Sequence, residues 1–311
     1  MEETIAEFGM DEILRLRHRV TAADWSSEDA QWTLHVTVTD EAGNESHKIV
    51  QAGFVFSGTG YYKYDEGFEP PRFEGREDFQ GDILHPQHWP ADYDHSGKRV
   101  VIIGSGATAV TMLPAMLNGE GAAAHVTMLQ RTPPSYVASM PPRVDKIAQF
   151  LLKVFGKKLG YRLTRIKNIW RDHLLVTVLV KFPPNFGRKL LRSMTVKELP
   201  PAGFDVDTHF APPYSPPWDQ RLCATPPDGD FFEAIRNGNA DVATDQIERF
   251  TEKGILLTSG KVLEADVIVT ATGLVMQMLG GIKPTVDGTP VDVADTVLYH
   301  GASCPECRTG R

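Results

Sequence analysis

The chain has 311 residues, 41% of them hydrophobic, a formal net charge of -8 and three cysteines. That length holds one large or two ordinary domains around a real core, and the acidic balance suits a soluble protein. Cys223, Cys304 and Cys307 build no disulfide framework, residues 1 to 20 carry charge throughout like no secretory leader, and the longest apolar run, Leu174 to Val180, falls far short of the roughly 20 residues of a spanning helix. A reducing, cytoplasmic setting is therefore expected.

In chain order, residues 1 to 21 read as helical at first and then polar. Trp32 to Thr39 alternates as a strand, Glu41-Ala42-Gly43-Asn44 turns, and His47 to Phe56 returns. Gly67 to Pro90, rich in Gly, Pro, Asp and aromatics, reads as an ordered connecting loop. Lys98 to Ile103 is a β-branched run ending in glycine, Thr108 to Leu117 has helical periodicity despite Pro114, and His125 to Leu129 is the next strand. Pro133-Pro134 and Pro141-Pro142 break the pattern. Val144 to Leu191 is mostly helical and basic, interrupted at Pro183-Pro184, and Pro200 to Pro227 is loop. Phe231 to Ile235 is a short helix, and strands from Asp241 run on to Gly273.

Two stretches repeat each other: Ala52-Gly53-Phe54-Val55-Phe56-Ser57-Gly58-Thr59-Gly60 and Ala265-Asp266-Val267-Ile268-Val269-Thr270-Ala271-Thr272-Gly273. Each reads as a buried strand closing on a small residue and Thr-Gly, after a strand–turn–strand. One structural unit used twice is the expectation. The second unit opens upstream on Gly104-Ser105-Gly106-Ala107-Thr108-Ala109, whereas little chain precedes the first. Because a doubly wound nucleotide-binding unit begins with such a turn, the first unit is expected to have lost its beginning.

Val100 to Ile103 followed by Gly104-x-Gly106-x-x-Ala109 has a strand before it and a helix after it. The first glycine makes the tight turn. The second lets backbone approach a pyrophosphate on the amides of a helix N-terminus, and Ala109 allows close helix–strand packing. At the end of the following strand Gln130 stands where an acid would bind the ribose of NAD. Arg131 and Thr132 follow, and a cation there suits the 2′-phosphate of NADP.

Phe79-Gln80-Gly81-Asp82-Ile83-Leu84-His85-Pro86-Gln87-His88-Trp89-Pro90 matches F-x-G-x-x-x-H-x-x-x-W-P just before the Gly turn. With Gly58-Thr59-Gly60-Tyr61-Tyr62, Gln130-Arg131-Thr132-Pro133 and Trp218-Asp219-Gln220-Arg221-Leu222-Cys223, this resembles the Baeyer–Villiger and flavin-containing monooxygenase family, of the ethionamide-activating type, over about residues 10 to 300. The resemblance implies an α/β fold: a Rossmann-like flavoprotein with two dinucleotide-binding domains, its NADP domain inserted into a partial FAD domain. Residues 1–90 would be the C-terminal half of the FAD domain and a linker. Residues 97–275 would be the NADP domain with a helical insertion at about 141–200, and residues 276–311 an FAD-domain remnant with an irregular tail.

The implied reaction is insertion of one oxygen of O2 into a ketone, or onto sulfur or nitrogen of a sulfide or thioamide, through a flavin C4a-peroxide, with FAD and NADP(H) as cofactors. The resemblance gives catalytic parts to Arg221, whose permanent guanidinium would stabilise the peroxide anion and the adduct, and to His85, in a linker coupling domain movement to catalysis. Cofactor contacts fall on Gly104, Ser105, Gly106, Ala107, Thr108, Ala109, Arg131 and Thr132 for the NADP turn, and on Gly58, Thr59, Gly60, Thr272 and Gly273 for the two Thr-Gly ends. The alternative for Arg221 is a surface pair with Asp219. The alternative function is a non-catalytic NADP-binding fragment. With no FAD turn in the sequence, the chain alone is expected to bind NADP weakly and FAD poorly or not at all.

Fourteen Lys or Arg between Arg143 and Lys197 face the acids Asp145 and Asp172, with Glu198 just after the stretch. This stretch reads as an amphipathic cap over a substrate pocket, or as a helix lying on an anionic membrane surface; no recognition motif supports nucleic acid. Cys304-Pro305-Glu306-Cys307 closes a polar tail without enough ligands for zinc, so no metal is expected and the tail reads as unstructured.

Overall fold

The computed structural model describes all residues except 1, 69–72, 134–135, 140–144, 182–183, 200–203, 213–221, 226–228, 294–296, 300–301 and 305–311. The strands are β1 His18–Ser26, β2 Gln31–Thr39, β3 Glu45–Ala52, β4 Tyr62–Gly67, β5 Asp82–Leu84, β6 Arg99–Ile103, β7 His125–Gln130, β8 Tyr136–Ser139, β9 Leu222–Thr225, β10 Ala240–Thr244, β11 Ile247–Thr251, β12 Gly254–Leu257, β13 Val262–Glu264, β14 Val267–Thr270, β15 Leu274–Met276, β16 Lys283–Val286, β17 Thr289–Pro290, β18 Val297–Tyr299 and β19 Ala302–Cys304. The helices are α1 Glu2–Glu7, α2 Ala107–Ala115, α3 Lys146–Lys181, α4 Pro184–Glu198, α5 Val206–Phe210 and α6 Asp230–Arg236. The chain divides into one unit of residues 1–66 and 274–311 and a second of residues 67–273.

The first unit holds a five-stranded sheet in the order β17-β16-β1-β2-β3. β1, β2 and β3 form an antiparallel meander, and β16 joins β1 in parallel with Ala22 opposite Lys283. Of residues 1 to 21, read as helical at first and then polar, residues 2–7 are helical as α1 and residues 18–21 begin β1; there Trp25 packs on Trp32 with ring centroids 5.4 Å apart, a cross-strand pair that local sequence does not announce. β18 and β19 pair as a ladder, so the reading of the tail as unstructured does not hold for Ala302 to Cys304.

The two repeated stretches part company here. Ala265 to Thr270 runs into β14, buried between β6 and β5. Residues 53–60 form no strand, and Phe54 and Phe56 are 79% and 86% exposed. The same apolar pattern makes a buried strand only where neighbours pair with both of its edges, and among the described residues nothing pairs with residues 53–56.

The second unit is built on a parallel sheet in the order β10-β7-β6-β14-β5. Alternate residues of each strand enter two cores. Val100, Ile102, Val126, Met128, Val267 and Val269 meet α2 and α6 on one face. Val101, Ile103, Leu129 and Ile268 meet the β11–β12 hairpin on the other. Burial on both faces explains the unbroken run Val100-Val101-Ile102-Ile103, and each such side chain contributes about 1.5–3 kcal/mol. β5 lies inside the segment read as a connecting loop. Residues 206–210, within the segment read as Pro-rich loop, form α5, whose start is capped by the Asp205 carboxylate on the amides of Asp207 and Thr208.

α3 is not one rod. Gly156, at φ 70° and ψ 173°, breaks it. Lys167 then forms an ion pair with Asp145, and a Cβ on Gly160 would stand 2.6 Å from the Leu151 carbonyl oxygen. Residues 146–155 therefore fold back against the helix that begins at residue 157.

Candidate nucleotide-binding site

Every strand of the second unit's sheet points the same way, so its carboxyl edge collects the residues just past each strand. The register sets Leu84 beside Val269, Thr270 beside Ile103, and Ile103 beside Leu129. His85, Gly104, Arg131 with Thr132, and Thr272 with Gly273 leave from that one edge. The sheet order reverses at β6, flanked by β7 and β14, and this is where a doubly wound sheet leaves a crevice.

Gly104 is at φ 124°, donates its N–H to the Leu129 carbonyl at 2.8 Å, and leaves no room for a Cβ, which would meet the Ala271 carbonyl oxygen at 2.3 Å. Glycine is required there by the sheet itself. Gly106 differs. Its φ of -76° suits any residue, and a Cβ on it would meet no protein atom within 4 Å. It precedes α2, whose first turn receives no side-chain cap and carries no acid. The exposed amides of Gly106, Ala107 and Thr108 thus face outward at a helix N-terminus, a site suited to an anion. Ser105 and Ala109 are buried beneath them.

Gln130 does not stand free to meet a ribose. It is 3% exposed, and its amide donates to the His209 carbonyl at 2.7 Å and to the Thr244 hydroxyl at 2.9 Å. It ties α5 to the ends of β7 and β10. His209 Nδ1 lies 2.8 Å from the same hydroxyl, and burial holds its imidazole below the usual histidine range, against the pull of Asp205 and Asp241. Because folding favours the neutral ring, this contribution is whole above about pH 6.5 and is lost as the pH falls. We expect melting between pH 7 and pH 5 to be less pH-dependent in His209→Asn than in the parent. Equal slopes would rule out His209 as a source of the pH dependence. Arg131 and Thr132, beyond the tie, are exposed at the edge.

His85 begins the turn after β5, where its Nδ1 accepts the Gln87 N–H at 3.2 Å. Its ring fills the space beside Gly67, where a Cβ would come within 2.1 Å of Cε1. Thr272 and Gly273 close the same region: the Thr272 hydroxyl donates to the Phe68 carbonyl at 2.8 Å, and the Phe68 N–H donates to the Gly273 carbonyl at 3.2 Å. The rest of the twelve-residue motif anchors this turn. Phe79 is buried against Phe250, a Cβ on Gly81 would strike the Asp266 carbonyl oxygen at 2.3 Å, and Trp89 packs edge-on to Tyr93 with centroids 5.6 Å apart.

Charge pairs gather at the opposite, amino edge. Arg99 holds Asp266 at 3.0 Å and also pairs with Glu264, and Asp82 accepts from the Tyr93 hydroxyl at 2.5 Å and from Lys98 at 3.3 Å. Hydrogen bonds from Tyr93 and Lys98 lower the Asp82 carboxyl below its usual range, and Arg99 does the same for Asp266. The carboxyl edge carries glycine backbone, the open amides, His85 and Arg131, and the acid that follows β10, Asp245, is taken up by hydrogen bonds from Gln246, Thr258 and Ser259.

Gly58, Thr59 and Gly60 belong to the first unit. Thr59 packs against Gly280, whose Cβ would stand 3.1 Å from that of Thr59, and no helix follows them. Arg221, with Trp218 to Gln220, and Cys307 lie outside the described residues. The Gln130 tie was not readable in the sequence, where only its position after β7 was visible.

The chain matches the family model described as flavin-binding monooxygenase-like over residues 13–139. It is 46% identical over 304 residues to the FAD-containing monooxygenase EthA of Mycobacterium tuberculosis, covering 97% of this chain and 59% of that protein. The fold is similar to that of a polycyclic ketone monooxygenase from Thermothelomyces thermophila, with a TM-score of 0.64 at 18% identity, covering 92% of this chain and 53% of that one. An oxidized steroid monooxygenase bound to NADP matches with a TM-score of 0.64 at 20% identity, over 92% of this chain and 58% of that one. The chain thus spans about three-fifths of the length of the curated relative it matches.

Proposed function

The chain belongs to the flavin-binding monooxygenase-like family, and from that premise we propose that it is the NADP-binding and linker portion of an FAD- and NADPH-dependent monooxygenase. The reaction is insertion of one oxygen of O2 into a ketone, or its addition to a sulfide or thioamide. The observation that carries this reading is the meeting of the open α2 amides, Arg131, His85 and Thr272-Gly273 at one sheet edge, in a chain 46% identical to an FAD-containing monooxygenase.

The residues at that edge fit a dinucleotide. Gly104 makes the turn, the amides of Gly106 to Thr108 receive the pyrophosphate, and the α2 dipole favours its charge. Arg131 takes the 2′-phosphate. His85 serves by position, its ring filling the space beside Gly67. For the flavin the fit is partial: Gly58 to Gly60 offer exposed backbone but no helix N-terminus. When bound, the flavin supplies the oxygen-activating chemistry. Arg221 is the proposed cation for developing negative charge.

Two measurements test this. With FAD added, retained flavin together with NADPH oxidation under air that requires a ketone, sulfide or thioamide and yields the oxygenated product would show that this portion suffices for the reaction; NADP+ binding with little flavin retained is the result expected from the partial fit of Gly58 to Gly60, and absence of NADP+ binding contradicts the reading. Arg131→Ala should weaken NADP+ binding by about tenfold to a hundredfold, as expected for losing a charge-assisted hydrogen bond, and leave NAD+ binding unchanged. Equal losses for both would remove the 2′-phosphate role.

A second reading, contact of α3 with an anionic membrane surface, is favoured by the exposed apolar side chains of that basic helix. No helix among the described residues is long and apolar enough to cross a membrane.

A further inference from the structure

Resting on that second reading, we propose that residues 146–174 form a lipid-docking element that lies on an anionic bilayer with its apolar stripes in the interface and its cations among the headgroups. Before the Gly156 corner, Ile147, Phe150 and Val154 recur at helical spacing and are 60%, 61% and 55% exposed. After it, Leu159, Ile166, Trp170 and Leu174 share one face and are 48%, 47%, 71% and 64% exposed. A water-facing helix normally turns such residues inward.

The packing between the two halves uses other residues. Gly160 meets the Leu151 backbone, and Lys167 meets Asp145. The stripes are not spent on holding the corner together.

Charge identifies the occupant. Residues 145–174 carry eight Lys or Arg and two acids, Asp145, paired with Lys167, and Asp172, in a chain of net charge -8. A second copy docked on this face would set these cations against their own kind. A nucleic acid would pair with the cations and leave the apolar stripes wet. A bilayer with anionic headgroups meets both halves of the pattern. Its interface accepts the apolar face, Trp170 sits naturally at headgroup depth, and Lys and Arg stems lie along the boundary with their charges outward.

The test is flotation of the whole chain with vesicles of phosphatidylglycerol and phosphatidylcholine, against pure phosphatidylcholine, at low and high salt. The chain should float with the anionic vesicles only, and high salt should release it. Ile166→Glu/Trp170→Glu should weaken binding by about a hundredfold with an unchanged far-UV spectrum and melt. Leu159→Ser/Ile166→Ser, a milder change, should weaken it in the same direction. No flotation of the parent overturns both the proposal and the membrane reading. Flotation that neither variant weakens keeps membrane contact but overturns this surface. A concentration-dependent dimer broken by the same variants, without flotation, assigns the face to a second copy and overturns the proposal.

Discussion

Gly104→Ala should destabilise the second unit by about 2–6 kcal/mol, whereas Gly106→Ala should leave its stability within about 0.5 kcal/mol and instead weaken dinucleotide binding. The two glycines stand two residues apart in one turn, and sequence assigns both to the ligand. Their surroundings separate them. At Gly104 the φ of 124° costs an L side chain about 1–3 kcal/mol. The overlap with the Ala271 carbonyl, at 2.3 Å, adds a comparable amount because the oxygen belongs to sheet backbone and cannot swing away. Against a typical total of about 5–15 kcal/mol, this threatens the fold. At Gly106 the backbone is ordinary and a methyl group meets no protein atom within 4 Å. It would stand where the pyrophosphate is proposed to approach, so NADP+ affinity should fall by about tenfold or more. Urea unfolding and calorimetric titration of both variants check this. A Gly106→Ala chain that binds NADP+ like the parent would displace the site from this turn.

Phe250→Ala should cost about 3–5 kcal/mol, the range for removing a fully buried aromatic side chain. Phe250 is 0% exposed, stacks on Phe73 with centroids 5.1 Å apart, and meets Phe79 edge-on at 6.5 Å. Its backbone is committed too. The Phe250 N–H donates to Glu74 at 2.7 Å, and Gln80 donates to Glu252 at 3.1 Å. The start of the twelve-residue motif is thus held by β11, and the ring is its central contact. Beyond lost stability, the variant should loosen residues 73–85, which faster hydrogen exchange at the Gln80 and Asp82 amides would reveal. A loss below about 1 kcal/mol would mean that the site collapses around the missing ring, contrary to its close packing.

Much of this architecture is legible from short-range pattern because both faces of the parallel sheet are covered. Val100 to Ile103, His125 to Leu129 and Val267 to Thr270 are largely apolar and can be little else than buried strands. The glycine turn after Ile103 follows from the same logic. Features set by partners distant in sequence are not legible. Phe54 and Phe56 repeat the apolar pattern of β14 yet lie exposed, since burial depends on which strands come alongside. β1 depends on pairing with β2 and β16, and β5 on β14. Gln130 occupies the position of a ribose-binding residue, but Thr244 and the His209 carbonyl turn it inward. The Gly156 corner had a visible glycine, but the contacts of Gly160 with Leu151 and of Lys167 with Asp145 are what show that the helix doubles back.

Calorimetric titration of the whole chain with NADP+ and with NAD+ under identical salt probes the cofactor edge of the sheet without intermediary. Saturable one-to-one binding of NADP+ that Gly106→Ala weakens by about tenfold or more is expected, with NAD+ at least about tenfold weaker because Arg131 meets no 2′-phosphate. Absence of NADP+ binding, or binding that the Gly106 variant leaves intact, would contradict the assignment of this sheet edge to the cofactor.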